Sequence, residues 1–326
     1  MRHGRRETIL SIKGLHVEFP ISIGTVKALQ GVDLDIVKGE VMGLVGESGC
    51  GKSTLGFSIV RLLRPPGRIT SGRIDYRGRN VAGMDEKELL RIRGRRIAMV
   101  FQDPLTSLNP LFSIGQHFVE TIRTHDRAVT KSRALEMAGD MLESLGISRQ
   151  RLGEYPHQMS GGMRQRIMIG LALVMRPELL IADEPTTALD VIVEAQFLDL
   201  LEELRGRFDL TVILITHNLG NVAQLAHRIT VMYGGTIVEV APAGDLFRRP
   251  LHPYTEGLLA SIPNIRLDRP RLVTMPGSPP DLVDPPAGCV FHPRCPRAMD
   301  VCRRERPPSV SGDGRTVSCW LYKEVP

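Results

Sequence analysis

The sequence lacks any apolar run long enough to cross a membrane. Its longest, residues 167–175, spans nine residues. A membrane-spanning helix needs about 20 apolar residues, so this run predicts a buried helix instead. The basic N-terminus, MRHGRRE, is followed by no apolar stretch, which argues against a secretory signal peptide. Any role at a membrane is therefore expected to depend on a partner.

Cysteine and aromatic residues are also scarce. The 326 residues include five Cys and one Trp, and aromatic residues make up 5% of the chain. The hydrophobic content of 42% and the charged content of 24% are ordinary for a globular protein, and the length allows two or three packed units. The formal net charge of +6 is a modest excess, which permits an anionic partner without indicating one.

Proline divides the chain into two parts, because 14 of the 23 prolines lie between Pro250 and Pro326. The tail after about Asp245 is therefore predicted to be a short, loop-rich appendage. Its hydrophobic residues, among them Tyr254, Phe291 and Trp320, argue against the alternative of a disordered tail.

Before this tail, short β-rich runs alternate with helical patterns, which predicts an α/β core. The predicted strands are residues 41–45, 96–101, 179–182, 211–216, 228–233 and 236–240. The predicted helices begin at Lys52, lie within about 116–146, follow Gly161 and follow Leu189, and Pro65 and Pro177 mark two helix ends.

The stretch GESGCGKST follows the predicted strand at 41–45 and begins a predicted helix. It fits the pattern G-x-x-x-x-G-K-[ST], in which glycines let backbone N–H groups surround phosphate oxygens at a helix N-terminus. Lys52 is expected to reach the β- and γ-phosphates, and Ser53 is expected to bind Mg²⁺. The predicted nucleotide-binding residues of this loop are Gly46, Glu47, Ser48, Gly49, Cys50, Gly51, Lys52, Ser53 and Thr54.

The stretch LLIADEP, residues 179–185, places two carboxylates at the end of an apolar strand. Ligands bind at the carboxyl ends of strands in open α/β sheets. We expect Asp183 to hold Mg²⁺ through water and Glu184 to orient and polarise the attacking water. A solvated strand end is the simpler interpretation of the pair alone, but the phosphate loop upstream favours the catalytic one.

Four further motifs accompany these two in a fixed order. The stretch MSGGMRQR, residues 159–166, is similar to the LSGGQ-like signature of ABC (ATP-binding cassette) ATPases, with Met163 in place of the usual Gln. Gln102 in VFQDP resembles the Q-loop glutamine of that family, TALD at 187–190 resembles its D-loop, and His217 in ITHN resembles its switch histidine. Each motif alone has a simpler interpretation, for example Ser160 as a helix N-cap, but their joint order favours the family.

The resemblance covers about residues 8–245 and implies an α/β fold, the ABC-type P-loop ATPase core with a mixed sheet and flanking helices. It implies an ATPase domain at 1–245 with a helical subdomain at about 103–177. A small C-terminal extension at 246–326 would follow.

The resemblance also implies roles for residues outside the phosphate loop. In this family two ATPase domains pack head to tail with ATP between them, so Ser160, Gly161 and Gly162 would act at the partner's γ-phosphate. Asp190 would lie at the contact between the two domains. Gln102 would contact Mg²⁺ and couple to the helical region, and His217 would act at the catalytic site. Phe19 is the candidate for stacking on adenine, with a strand-end core aromatic as the alternative.

Two longer stretches, residues 100–116 and 250–263, resemble the oligopeptide and dipeptide importer ATPases. This implies ATP hydrolysis coupled to uptake, at the cytoplasmic face of the plasma membrane. The implied partners are two membrane permeases, an extracytoplasmic substrate-binding protein and a second ATPase subunit, often a different chain. Related importers of nickel or glutathione stay open as alternatives. A soluble ABC ATPase acting on nucleic acid is disfavoured by the single cassette, and an inactive paralogue by the intact Lys52, Asp183, Glu184 and His217.

The remaining cysteines are concentrated in the tail with the spacing C-x5-C-x6-C-x16-C, at Cys289, Cys295, Cys302 and Cys319. An ATPase supplied with cytosolic ATP lies in a reducing compartment, where structural disulfides are rare, so Cys50 is expected to be a free thiol. Four thiolates in a short tail predict a metal site, although the close Cys pairs usual for zinc are absent. The HPRCP segment resembles that of peptide-importer ATPases, which implies a [4Fe–4S] cluster, with Zn²⁺ as the alternative.

Overall fold

The computed structural model describes residues 7–101, 108–187, 190–261 and 275–325. The chain divides into two compact units, one formed by Met1–Gly83 with Leu214–Pro326 and the other by Met84–Ile213. The strands, in chain order, are β1 (Thr8–Ile21), β2 (Gly24–Val37), β3 (Val41–Val45), β4 (Arg68–Tyr76), β5 (Arg79–Asn80), β6 (Ile97–Val100), β7 (Leu179–Asp183), β8 (Thr211–Ile215), β9 (Arg228–Tyr233), β10 (Thr236–Pro242), β11 (Ser309–Gly312) and β12 (Arg315–Ser318).

The α-helices are α1 (Lys52–Ile59), α2 (Glu86–Ile92), α3 (Ile114–His125), α4 (Lys131–Ser144), α5 (Gly161–Leu173), α6 (Val191–Phe208), α7 (Leu219–Leu225), α8 (Ala243–Arg248), α9 (Pro253–Ala260) and α10 (Asp300–Arg304). None of the helices in the described ranges has the length and hydropathy needed to span a bilayer. Each strand predicted from sequence is present within one or two residues of its expected bounds, and α1 begins at Lys52 as predicted.

A mixed sheet forms the centre of the first unit. Strand β3 pairs with β9 in parallel, and β10 returns antiparallel to β9. Every residue of β3 is buried, as expected for a central strand covered on both faces. The absence of a side chain at Gly43 lets α7 approach, because a Cβ there would overlap Val222. The predicted α/β class with a mixed sheet is thus confirmed.

A second sheet of the first unit was not predicted. It is antiparallel with the strand order β2-β1-β4-β5, and β1 turns into β2 where Ile21 pairs with Gly24. The alternation of buried and exposed residues along β1 is broken by register shifts and by Gly14, which has a φ of 54°. A strict period of two, the signal for a half-buried strand, is therefore missing from the sequence.

The second unit combines parallel strands with a group of helices. Strand β6 pairs with β7 in parallel, and Thr211 at the start of β8 donates its backbone N–H to the Glu178 carbonyl. Helix α5 packs closely on α3 and α4, because a Cβ at Gly170 would lie 2.6 Å from Leu145 and 3.1 Å from Phe118. The helical stretch predicted at 116–146 is two helices, since Thr130 accepts from the Arg133 N–H and starts a new helix.

The C-terminal extension packs into the first unit. Strand β12 pairs with β10, with Val317 opposite Glu239. Tyr254, Val290 and Phe291 are buried in the same hydrophobic cluster as Val231 and Tyr233 of the mixed sheet. The loop-rich prediction is confirmed for the described part of this region, in which the longest helix, α9, has eight residues.

A buried carboxylate joins the extension to the sheet. Glu239 is fully buried and accepts hydrogen bonds from the backbone N–H groups of Leu251 (3.0 Å) and His252 (2.9 Å). It also accepts from Arg315 Nη2 at 3.1 Å, and the same Nη2 donates to the Arg249 carbonyl at 2.6 Å. Burial lowers the pKa of His252 to about 3, so this imidazole is neutral and its Nδ1 accepts from the Tyr254 N–H at the start of α9.

We predict that Arg315→Met lowers the free energy of unfolding by about 3–5 kcal/mol, because it leaves a buried carboxylate short of its cationic partner. Urea denaturation of the full chain measures this. The control, Arg205→Met, removes an exposed i,i+3 pair with Glu202 and is expected to cost no more than about 0.5 kcal/mol. Equal losses in the two variants would contradict the role of the buried pair.

Candidate functional site

Three glycines with positive φ shape the loop between β3 and α1. Gly46, Gly49 and Gly51 have φ values of 152°, 78° and 104°. A Cβ at Gly46 would overlap the Met232 carbonyl oxygen and lie 2.8 Å from Cys50 Sγ. The loop therefore lies directly against the backbone at the end of β9. Ser48 and Gly49 are exposed at its tip, while Ser53 and Thr54 are half-buried in the first turn of α1.

Lys52 bends back over this loop. Its Nζ donates to the carbonyl oxygens of Gly46 (2.9 Å) and Glu47 (3.0 Å), and the residue is 5% exposed. Gly51 is the N-cap of α1 and provides no side-chain cap for its first turn. A lysine ammonium beside a glycine-rich loop and a helix N-terminus together favour an anion such as a phosphate group.

Cys50 is buried inside the loop. Its pKa is raised by burial, an effect that the neighbouring Lys52 opposes, and it forms no disulfide. The carbonyl of Cys50 accepts from the Gly235 N–H at 3.1 Å, which ties the loop to the turn between β9 and β10. The prediction of a free thiol is confirmed.

Glu47 has partners that the sequence did not reveal. Its backbone N–H donates to the Tyr254 hydroxyl at 2.9 Å. Its carboxylate accepts two hydrogen bonds from Arg294, at 2.7 and 3.0 Å. Tyr254 and Arg294 both belong to the tail, and from sequence their stretches served as signals of the family, of the cysteine site and of an ordered tail. No local pattern indicates a contact between residues 247 positions apart.

In the second unit, Asp183 and Glu184 lie at the carboxyl end of β7. Asp183 is the last residue of the strand and is 2% exposed. Glu184 has a φ of 45°, unusual for a residue other than glycine. Its Oε2 accepts from Thr187 Oγ1 at 3.1 Å, and its carbonyl accepts from the Thr187 N–H at 3.2 Å. The two carboxylates therefore belong to adjacent residues at the end of β7, the strand end at which the sequence placed them.

Ser160 and Asp190 both cap helices of the second unit. Ser160 Oγ accepts from the Met163 N–H at 3.3 Å, with Gly161 and Gly162 in the first turn of α5. Asp190 accepts from the N–H groups at positions 192 and 193, at 3.1 and 2.9 Å. A Cβ at Gly162 would lie 2.9 Å from Val193, so the starts of α5 and α6 are in contact. The N-cap interpretation of Ser160 therefore holds in this structure.

Two further predicted residues, His217 and Phe19, lie in the described part of the chain. His217 is exposed just after β8, and Asn218 beside it caps α7. Phe19 is half-buried in β1, and its ring covers Gly67, where a Cβ would lie 2.8 Å from Phe19 Cζ. Gln102 lies outside the described residues, as do residues 188 and 189 of the TALD motif.

The four tail cysteines influence one another electrostatically but do not form a ligand set. The pKa of Cys289 is raised to about 11, mainly by burial and to a smaller extent by the other three thiols, against the lowering effect of a backbone hydrogen bond at Phe291. The Cys289 N–H donates to the Cys302 carbonyl at 2.8 Å. Over the described ranges, no three His, Cys, Asp or Glu side chains are placed so as to hold a metal ion. The geometry therefore gives no support to the predicted iron–sulfur cluster or to zinc.

We predict that Gly46→Ala lowers the free energy of unfolding by about 3 kcal/mol or more, because backbone strain and overlap with the Met232 carbonyl add together. The matched control is Gly49→Ala in the same loop, where φ is also positive but a Cβ meets nothing within 4 Å. It is expected to cost about 1–2 kcal/mol. Denaturation without nucleotide compares the two, and equal losses would show that Gly46 is not held against β9.

Two family models match the chain. The model described as ABC transporter matches residues 29–187, and the model described as oligopeptide/dipeptide transporter, C-terminal region, matches residues 238–302. The first match includes the phosphate loop, the signature and the carboxylate pair. The second includes Tyr254 and Arg294.

Curated relatives match almost the whole chain. The dipeptide transport ATP-binding protein DppD of Bacillus subtilis is 47% identical over 98% of this chain and 96% of its own length. The oligopeptide transport ATP-binding protein AppD of the same organism is 46% identical over 97% and 98%. The oligopeptide transport ATP-binding protein OppD of Salmonella typhimurium is 43% identical over 96% and 93%.

Solved structures confirm the predicted ABC fold. The dimeric, post-hydrolysis form of the ATP-binding cassette MJ0796 bound to ADP and Pi is 27% identical, with a TM-score of 0.64, over 72% of this chain and 98% of that one. CbiO1 of Clostridium perfringens, part of the cbiONQ ABC transporter complex, is 28% identical, also with a TM-score of 0.64, over 74% and 92%. The chain therefore belongs to the ATP-hydrolysing subunits of ABC transporters, in the oligopeptide/dipeptide transporter family.

Proposed function

We propose that this chain is the ATP-hydrolysing subunit of a peptide importer and couples ATP binding and hydrolysis to uptake through partner permeases. The observation that carries the proposal is the glycine-shaped loop with Lys52 folded over it, in a chain that matches peptide-transport ATPases over nearly its whole length. The extension supports the same family, because the family model for the C-terminal region of oligopeptide/dipeptide transporters matches residues 238–302.

The loop residues suit the binding of a nucleoside triphosphate. ATP would replace the two loop carbonyls as the partner of Lys52, and backbone amides of the loop other than that of Glu47 would surround its phosphates. Ser53 and Asp183 have the oxygen donors that Mg²⁺ prefers. When bound, Mg²⁺ would supply positive charge to the β- and γ-phosphate oxygens. Phe19 keeps its proposed role of stacking on adenine.

Glu184 is proposed to orient the attacking water and to accept its proton, and His217 to contact the γ-phosphate. Hydrolysis of this kind depends on positioning and charge stabilisation. The Thr187 hydroxyl bond holds the Glu184 carboxylate in one direction, which supports the role. Gln102 is proposed as the Mg²⁺-sensing residue on the basis of the VFQDP motif alone.

A second ATPase subunit is proposed to complete the site through Ser160, Gly161, Gly162 and Asp190. Ser160 and Gly161 are exposed at the start of α5. Beside Asp190, Val191 is 80% exposed and Ile192 is 72% exposed, an apolar patch of the kind that protein interfaces cover. These features support a head-to-tail contact with a like subunit.

The other proposed partners are two permeases and an extracytoplasmic substrate-binding protein, which would place the chain at the cytoplasmic face of the plasma membrane. The segment after Gln102 is proposed to receive the permeases, and Leu111 in this segment is 80% exposed. Short peptides are the proposed cargo. The transport test distinguishes peptides from nickel and glutathione as cargo. The localisation test distinguishes an importer from a nucleic-acid ATPase.

We predict that Glu184→Gln lowers ATP hydrolysis by about 100-fold or more while ATP binding is retained, because the water loses its proton acceptor. Phosphate release and nucleotide titration measure the two effects. The control is Glu178→Gln just before β7, where the carboxylate pairs with Arg96, and it is expected to keep the wild-type rate. Wild-type hydrolysis in Glu184→Gln would sink the catalytic assignment.

Transport is tested in cells that lack their own peptide importer and carry this chain with candidate permeases and binding protein. Uptake of a labelled dipeptide that is absent with Glu184→Gln supports the proposal, and uptake of only nickel or glutathione replaces the cargo. Membrane recovery only when the permeases are co-expressed supports the importer, whereas protein that stays out of the membrane fraction even with the permeases would favour a nucleic-acid ATPase.

For the tail cysteines we propose a [4Fe–4S] cluster, with Zn²⁺ as the alternative, from the sequence pattern alone. Protein purified without oxygen is predicted to contain about four Fe per chain and to absorb visible light if Cys289, Cys295, Cys302 and Cys319 are the ligands. Cys302→Ser should remove the signal, whereas Cys50→Ser should keep it. Protein without iron or zinc would show that the thiols are uncoordinated.

A further inference from the structure

Arg294 of the extension forms a two-point ion pair with the phosphate loop. Nη1 donates to Glu47 Oε2 at 2.7 Å and Nη2 donates to Glu47 Oε1 at 3.0 Å. The Arg294 side chain is 6% exposed and that of Glu47 is 26% exposed. A paired guanidinium–carboxylate contact of this kind fixes the direction of both groups as well as their distance.

The guanidinium is itself held from the extension side. Nε donates to the Pro276 carbonyl at 2.9 Å, and Nη1 also reaches the Tyr233 hydroxyl at 3.3 Å. The guanidinium carbon lies 5.7 Å from the centre of the Tyr233 ring, within range of a cation–π contact. Arg294 is therefore a fixed point from which Glu47 is positioned.

Glu47 links this fixed point to the lysine of the loop. Its N–H donates to the Tyr254 hydroxyl, and its carbonyl accepts from Lys52 Nζ at 3.0 Å. Glu47 directly follows Gly46, which has no room to move toward the Met232 carbonyl. A shift of Glu47 would therefore displace both the loop backbone and the group that orients Lys52.

We propose that Arg294 is a positioning residue for ATP binding, through which the C-terminal extension sets the nucleotide affinity of the ATPase core. It holds Glu47 and so keeps the phosphate loop in the arrangement that receives the phosphates. The inference rests on the proposed nucleotide site at residues 46–54 and adds to it a role for the extension.

The test measures ATP affinity of the full-length chain by fluorescent-nucleotide titration, together with KM and kcat. Arg294→Gln is expected to weaken binding and raise KM by about tenfold with kcat changed by less than about twofold, since charge-assisted bonds are lost away from the reacting atoms. Arg294→Lys keeps the charge but loses the second bond, so an intermediate effect is expected.

The matched control lies three residues further along the extension. Arg297 pairs with Glu256, and both side chains are more than 40% exposed. Arg297→Gln removes a cation from the same region without touching the loop, and its ATP affinity is expected to stay within about twofold of the wild type. An equal loss in Arg297→Gln would mean that the general charge of the extension, not the Glu47 contact, is responsible.

A double-mutant cycle separates positioning from a general loss of folding. Glu47→Gln breaks the same bridge from the loop, so the double variant with Arg294→Gln should bind ATP no more weakly than the weaker single variant. Folded variants that bind ATP with wild-type affinity would overturn the proposal. So would losses of ATP affinity that are additive in the double variant and parallel the decrease in Tm. Wild-type protein that binds no ATP would overturn the nucleotide site as well, which distinguishes the two failures.

Discussion

The buried carboxylate of Glu239 is the interaction on which the arrangement of the tail depends. A charge in a fully buried position must be paired and hydrogen-bonded, since the cost of leaving it unpaired is several kcal/mol. Its partners are the N–H groups of Leu251 and His252 and the guanidinium of Arg315. All three belong to the extension, so this carboxylate selects where the chain turns after α8 and where β12 joins the sheet.

The contacts of Glu239 also determine the position of the phosphate loop. With residues 251 and 252 held, α9 begins at Pro253 and brings the Tyr254 hydroxyl to the Glu47 N–H. Tyr254 packs against Tyr233 and Phe291 with ring centres 4.6 and 5.4 Å away, and Phe291 immediately precedes the turn that carries Arg294. One aromatic cluster therefore positions both groups that hold Glu47.

The parts predictable from sequence are those encoded locally. The buried strand at 41–45, the glycine pattern of the loop and the start of α1 at Lys52 all follow from residues within one short stretch. The antiparallel sheet of β1 and β2 was not predicted, because bulges and Gly14 interrupt the alternation of buried and exposed residues. The contacts of Glu47 with Tyr254 and Arg294 were not predicted for a different reason. They depend on tertiary packing between distant segments, which the periodicity of the sequence does not indicate. Cysteine spacing, conversely, indicated a ligand set that the side chains do not form as placed.

In the proposed function, the phosphate loop combines a rigid backbone with a lysine that changes partners when nucleotide binds. Lys52 donates to two carbonyls of its own loop, and an arriving phosphate would compete with them for the same ammonium. A loop free to collapse onto Lys52 would strengthen those bonds and weaken nucleotide binding, because binding must then reverse the collapse. Contacts from outside the loop would prevent this collapse, since the Met232 carbonyl packs closely against Gly46 and Arg294 of the extension holds the Glu47 carboxylate. Close backbone packing therefore holds Gly46, the first residue of the loop, and the extension holds Glu47, the second.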